Sequence, residues 1–236
     1  MTREFTSRDI DVLLKAAGVD LWGAASNDPA LPMAPDLATA ISLLVRFEPA
    51  ELAGVESGPT PVYYEGFRRV NATLDAAASA LADALLASGY RAERVMSTVP
   101  EDQYDGIADW CSVPVFPHKT AATRAGLGWI GKTALFVSPV LGPRVRLATV
   151  FTDLVLRAGT PVQAGRCGGC RLCVVACPAG AGVDITWRAG LPREELFDAK
   201  ACEQESNKYE DLGGVCGVCI AVCPWGRKRD AARDSG

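Results

Sequence analysis

Eight of the nine cysteines of this chain fall in its last third, at spacings that suit a ligand set. The first run is Cys167-Gly-Gly-Cys170-Arg-Leu-Cys173-Val-Val-Ala-Cys177-Pro178; the second is Cys216-Gly-Val-Cys219-Ile-Ala-Val-Cys223-Pro224, and Cys202 stands alone between them. Three cysteines at two-residue gaps, then a fourth three residues on and before a proline, form the bacterial ferredoxin pattern. In that pattern the fourth cysteine ligates the other cluster. The second run lacks a leading cysteine, and Cys202 is the available replacement. Four plus four thiolates are what two 4Fe–4S clusters require. Zinc competes for Cys-x-x-Cys knuckles but takes its ligands as two pairs. Disulfides suit small secreted domains, and nothing here marks secretion. Gly168, Gly169 and Gly217 would let the backbone wrap closely and point amides at sulfur, and each closing proline would redirect the chain.

The elements that must carry these residues are readable in outline. A short helix begins at Ser7, shows Ile10, Leu13 and Leu14 on one face, and stops at Gly18. Val19 to Ala24 and Ala40 to Phe47 read as buried strands. After a Pro/Gly-rich loop from Pro49 to Pro61, a long helix runs from Tyr63 to Ser88 with Val70, Leu74, Ala77, Leu81 and Leu85 on one face. Tyr90 to Met96 reads as a strand and Ser97 to Pro117 as an irregular loop. A short helix, Lys119 to Ala125, leads into a glycine turn, and strands Ala134–Ser138 and Val145–Thr152 follow, joined as a hairpin around Leu141-Gly-Pro143. The fold class expected is α+β: an α/β sheet domain over 1–157, then a ferredoxin-like domain over 158–236 carrying both cysteine runs.

At 236 residues, 49% hydrophobic and 22% charged, the composition is that of a globular protein. The net charge of −4 argues against a surface built to coat nucleic acid. No apolar stretch reads as a membrane span and the first residues do not read as a signal peptide, so a cytoplasmic protein is expected, with no membrane partner.

Gly126-Leu-Gly-Trp-Ile-Gly131-Lys132-Thr133 satisfies two phosphate-loop patterns at once. Both work only where a strand enters the loop and a helix leaves it. Here the order is reversed, so the glycines are read as a close-packed turn that lets backbone approach another element or a flat cofactor.

The stretch His118-Lys-Thr-Ala-Ala-Thr-Arg-Ala-Gly-Leu-Gly-Trp-Ile-Gly-Lys132, the cysteine runs and the ending Cys219-Ile-Ala-Val-Cys223-Pro-Trp225 together resemble the epoxyqueuosine reductase family. That family is related to the reductive dehalogenases; both depend on cobalamin and carry two 4Fe–4S clusters. The resemblance covers roughly Pro117 to Trp225. It implies a nitroreductase-like N-terminal domain that cradles a corrinoid. It further implies one cluster on Cys167, Cys170, Cys173 and Cys223, and another on Cys177, Cys202, Cys216 and Cys219.

Two departures are visible. The family's C-terminal helical-repeat region, which helps to hold tRNA, has no counterpart after Trp225, so tRNA is not an expected partner. The family's acidic aspartate would fall near Cys111-Ser112, where none aligns; Asp105 and Asp109 lie close by as candidate acids. His118, the single histidine, is a candidate proton donor or cofactor contact, and Tyr104 could supply a phenolic proton. Cys111, Lys119, Gly126, Gly128, Trp129, Gly131 and Lys132 are candidate cofactor contacts. Two readings follow: a cobalamin-dependent reductase of unknown substrate, or an electron-transfer protein that reduces a partner. Either needs an electron donor of the ferredoxin or flavodoxin type.

Overall fold

The computed structural model describes residues 4–27, 36–97 and 116–226, which separate into two compact units. The first is built from chain segments up to Val45, from Val70 to Leu127 and from Arg146 to Pro161. Tyr104, Asp105, Asp109 and Cys111 lie outside the described residues.

The first unit is organised by a four-stranded sheet. Helix α1 (Ser7–Ala16) precedes it and is capped by Thr6, one residue before the expected Ser7; the Asp9 carboxylate accepts from the Thr6 amide at 2.9 Å. Strands β1 (Leu21–Ser26), β2 (Thr39–Arg46), β3 (Ala92–Val95) and β6 (Val145–Thr152) lie in the order β1-β2-β6-β3. β1 runs antiparallel to β2, with Leu21 opposite Leu44, and β3 antiparallel to β6, with Ala92 opposite Thr152. The Thr39 hydroxyl donates to the Leu154 carbonyl and the Phe47 amide to that of Arg144, so β2 and β6 also run in opposite directions. β2 is buried from Thr39 to Val45, as a nearly unbroken apolar run requires when both sheet faces are covered.

Helix α2 (Pro61–Ala87) spends its apolar stripe in this core: Val70, Leu74, Ala77, Leu81 and Leu85 are inaccessible to solvent. Each large side chain of that stripe contributes roughly 2 kcal/mol by burial. The helix corrects one expectation. At 27 residues, with an 18-residue window of mean hydropathy 1.2, it has the length and composition to cross a bilayer. Its buried stripe and its exposed Glu65, Arg68 and Asp83 are those of a core helix.

The second unit comprises Arg46–Arg69, Gly128–Val145 and Val162–Gly236. Two-residue strands β4 (Trp129–Ile130) and β5 (Phe136–Val137) pair with each other. The expected hairpin between β5 and β6 does not form. A bridge from Ser138 to Gly142 closes the chain into a tight turn, and Pro139 and Pro143 remove the donors a hairpin ladder would need.

Four short helices follow: α4 (Leu172–Val175), α5 (Arg193–Leu196), α6 (Ala199–Ser206) and α7 (Val218–Ala221). Asp198 caps α6 by accepting from the Ala201 amide at 2.9 Å. α4 packs on α7, which also meets the 3-10 turn Val55–Ser57. Gly217 opens α7 at φ +79°, and a Cβ there would stand 2.6 Å from the Tyr63 ring. Only glycine meets both demands.

Candidate metal centre

The seven cysteines of the two runs and Cys202 are all free thiols in the second unit, and Cys223 is the most buried. Five of them are shifted upward by burial and by neighbouring thiols, which shows which sulfurs lie near one another. Burial raises the Cys173 thiol, and its neighbours Cys167 and Cys170 raise it further. Cys223 is pushed up to about 11 by burial, with Cys173 and Cys167 adding to it. Burial likewise raises Cys202, beside Cys177 and Cys216, and Cys216, beside Cys177. Cys219 is driven strongly upward by burial and by Cys202, Cys216 and Cys173. Chain order alone would not group them so: Cys177 of the first run lies beside Cys202 and Cys216, and Cys223 of the second run beside Cys173 and Cys167.

Among the described residues no three His, Cys, Asp or Glu side chains converge as one bare metal ion would demand. Eight thiols, half-buried apart from the buried Cys223, are a different donor set. Ligation requires deprotonated sulfur, and burial with like-charged neighbours opposes deprotonation in the protein alone. A positively charged iron–sulfur core relieves both penalties, so this donor set fits iron–sulfur clusters.

Backbone amides approach several sulfurs. The Ala181 amide reaches Cys177 Sγ at 3.4 Å, and those of Val218 and Trp225 serve Cys216 and Cys223. Trp129 is almost fully buried; its ring lies edge-on to Trp225 at 4.7 Å with the Arg166 guanidinium 5.7 Å above it. Its indole N–H has no acceptor among the described residues. Arg166 precedes Cys167 and Trp225 follows Cys223 by two, so this orphaned donor stands beside the segments that carry Cys167 and Cys223.

The glycine motif is engaged in protein contacts. Helix α3 (His118–Arg124) enters it and β4 begins within it, the reverse of a phosphate loop. A Cβ on Gly126, at φ +77°, would lie 2.7 Å from the Thr160 carbonyl oxygen. Gly128 lies against the Val137 carbonyl, and a Cβ on Gly131 would come 3.9 Å from Cys167 Sγ. Lys132, buried, donates to Asp184 at 2.7 Å, and Arg171 grips the other carboxylate oxygen at 2.7 Å. The Lys132 hydrogen bond and the two cations hold the Asp184 carboxyl below its usual range. This triad ties the glycine turn to the first cysteine run, a link between residues 52 positions apart with no local sequence signal.

His118 lies in the first unit, and Lys119 follows it, half-buried. The His118 Nε2 donates to the Met96 carbonyl at 2.9 Å, which leaves Nδ1 to accept from the Thr149 hydroxyl at 2.9 Å. Burial lowers its pKa from 6.5 to about 4. At neutral pH it is an uncharged internal strut with both nitrogens engaged. From pH 6.5 down to about 4 the unfolded chain takes a proton that the folded chain refuses. Stability therefore falls with acidification across that window, by at most about 3 kcal/mol. Denaturant titrations of wild type and His118→Gln at pH 7 and 4.5 should show the wild type losing more stability on acidification; equal losses would refute this.

No known family profile matches the chain. Individual relatives do. A tetrachloroethene reductive dehalogenase of Sulfurospirillum multivorans is 32% identical over 120 residues, 44% of this chain and 22% of that protein. An epoxyqueuosine reductase of Atelocyanobacterium thalassa is 32% identical over 139 residues, 52% of this chain and 42% of that protein. These matches thus span less than half of either relative. A solved reductive dehalogenase, described in connection with B12-dependent dehalogenation, superposes with a TM-score of 0.73 over 96% of this chain and 33% of its own, at 19% identity, which speaks to fold alone. The chain is a relative of the epoxyqueuosine reductases and the reductive dehalogenases alike.

Proposed function

We propose that this protein is an iron–sulfur reductase holding two 4Fe–4S clusters, one on Cys167, Cys170, Cys173 and Cys223 and the other on Cys177, Cys202, Cys216 and Cys219. The observation that supports the proposal is the company the buried thiols keep: Cys223 beside Cys173 and Cys167, and Cys202 and Cys216 beside Cys177. When bound, such clusters pass single electrons. The chain's own part is to supply thiolates, keep water away with Trp129 and Trp225, and aim the amides of Ala181, Val218 and Trp225 at sulfur.

Dependence on a corrinoid is supported by the relatives. Among the residues first considered for that cofactor, His118, Gly126, Trp129 and Lys132 are engaged within the protein, so no step is assigned to it here. The substrate class would be an oxidised small molecule or nucleoside that accepts electrons from the centre, with a ferredoxin or flavodoxin type of protein as donor.

Anaerobic purification with cobalamin present, followed by iron, sulfide, zinc and cobalt analysis, tests the reading. About eight iron and eight sulfide per chain are expected. Zinc in place of iron sinks the clusters; iron without retained cobalt sinks the corrinoid arm only.

A further inference from the structure

Four of the eight exposed large hydrophobic side chains among the described residues fall in one short stretch of the second unit: Leu172, Val175, Val183 and Ile185. Leu172 and Val175 stand three apart on α4 and share a face of it, and Val175 is 75% exposed. The segment with Val183 and Ile185 lies alongside. A Cβ on Gly182 would stand 3.2 Å from the Val174 side chain, and the ion pair of Arg171 with Asp184 fastens the same junction. The patch borders the Cys167–Cys170 loop, where a Cβ on Gly168 or Gly169 would meet nothing within 4 Å. That loop is open to solvent.

The edge of the patch is basic. Arg166, Arg171 and Arg188 are all exposed. Arg188 opposes Ala164 on the short ladder that leads into Cys167, where the Gly165 amide donates to the Trp187 carbonyl at 2.7 Å. Asp184 is already held by Lys132 and Arg171. The exposed acids Glu194 and Glu195 belong to α5, which meets the patch at Val183, whose amide donates to the Leu196 carbonyl. In a chain of net charge −4, the loop end of the patch carries the opposite sign.

We propose that this apolar patch and its arginine edge dock an acidic one-electron carrier protein, which exchanges electrons through the Cys167–Cys170 loop. The inference rests on the two-cluster reading and specifies where its donor lands. Apolar side chains at the centre of an interface shed water, while a charged rim steers and orients the partner. A carrier with an acid-rich rim around its own redox centre matches both. One electron leaves the reduced carrier and one enters the oxidised cluster on Cys167, Cys170, Cys173 and Cys223, with no bond formed or broken.

The experiment mixes anaerobic, iron-loaded protein with an acidic 2Fe–2S ferredoxin by stopped flow, following electron exchange in the direction the potentials allow. Arg188→Glu and Val175→Asp are compared with wild type; Arg8→Glu in the first unit and Val62→Asp, both at exposed positions, are the controls. The second-order rate constant should fall about tenfold in each patch variant and hold in the controls. Added salt should slow wild type more than Arg188→Glu, and reduction by dithionite should match wild type throughout. Equal rates in wild type and patch variants, an equal fall in the controls, or no exchange by a wild type that dithionite reduces overturns the proposal and leaves the clusters standing. A wild type that dimerises while Val175→Asp stays monomeric assigns the patch to a second copy, which also overturns it. A wild type without iron defeats the underlying reading instead. Should Arg188→Glu shed iron, Val175→Asp carries the comparison; loss in both marks a structural patch and overturns the proposal.

Discussion

Cys177→Ser and Cys219→Ser are expected to abolish the same cluster, whereas Cys223→Ser abolishes the other. Each variant should fall to about half of the wild-type iron, and the remaining paramagnetic signal should differ between the first two and the third. Serine keeps the volume of cysteine but offers a harder oxygen in place of soft thiolate. The prediction runs against chain order, since Cys177 is four residues from Cys173 and forty-six from Cys223. It follows from the thiol environments: Cys202 and Cys216 lie beside Cys177, while Cys223 lies beside Cys173 and Cys167. Cys111→Ser serves as the control and should keep full iron, because Cys111 belongs to neither run. If Cys177→Ser instead removed the signal that Cys223→Ser removes, the quartets would be wrongly drawn.

The cysteine spacing was legible because ligand runs are local: each turn holds two or three thiols within a few residues. The buried strand β2 and the stripe of α2 were legible for a similar reason, since burial on both faces and a 3.6-residue period leave marks in contiguous sequence. The pair β4 and β5 was not, because two-residue strands show no period at all. Pro139 and Pro143 were the available signal against a β5–β6 hairpin, and the strand-like runs beside them outweighed it. Side-chain partners escaped for a different reason. His118 meets Thr149 31 residues away and Lys132 meets Asp184 52 away; neither pairing is written into the local pattern. A lone histidine next to a glycine motif admits a structural role as well as acid–base chemistry, and folding makes it a neutral brace.

Arg144→Met is expected to destabilise the protein by about 4 kcal/mol. Arg144 is 6% exposed, and its fork is divided between two carbonyls: Nη1 donates to Trp225 at 2.6 Å and Nη2 to Cys223 at 2.7 Å. Hydrogen bonds from a charged donor contribute about 1.5–3 kcal/mol each, and a buried carbonyl left without a partner adds its own penalty. Methionine fills most of the volume and offers neither bond. Arg144→Lys keeps the charge but places a single ammonium where two divergent donors are needed, so about half the loss should remain. The comparison that isolates geometry from charge is Arg68→Met, which removes an ion pair to Glu65 whose side chains are 64% and 70% exposed; that change should cost under about 0.5 kcal/mol. Anaerobic denaturant titration of the three variants gives the ranking. The fork also fixes the chain at the last thiol of the first quartet, so Arg144→Met should release that cluster's iron before the other's on mild chelation. Equal costs for Arg144→Met and Arg68→Met, with both clusters lost together, would mean that the buried fork does not hold the Cys223 segment in place.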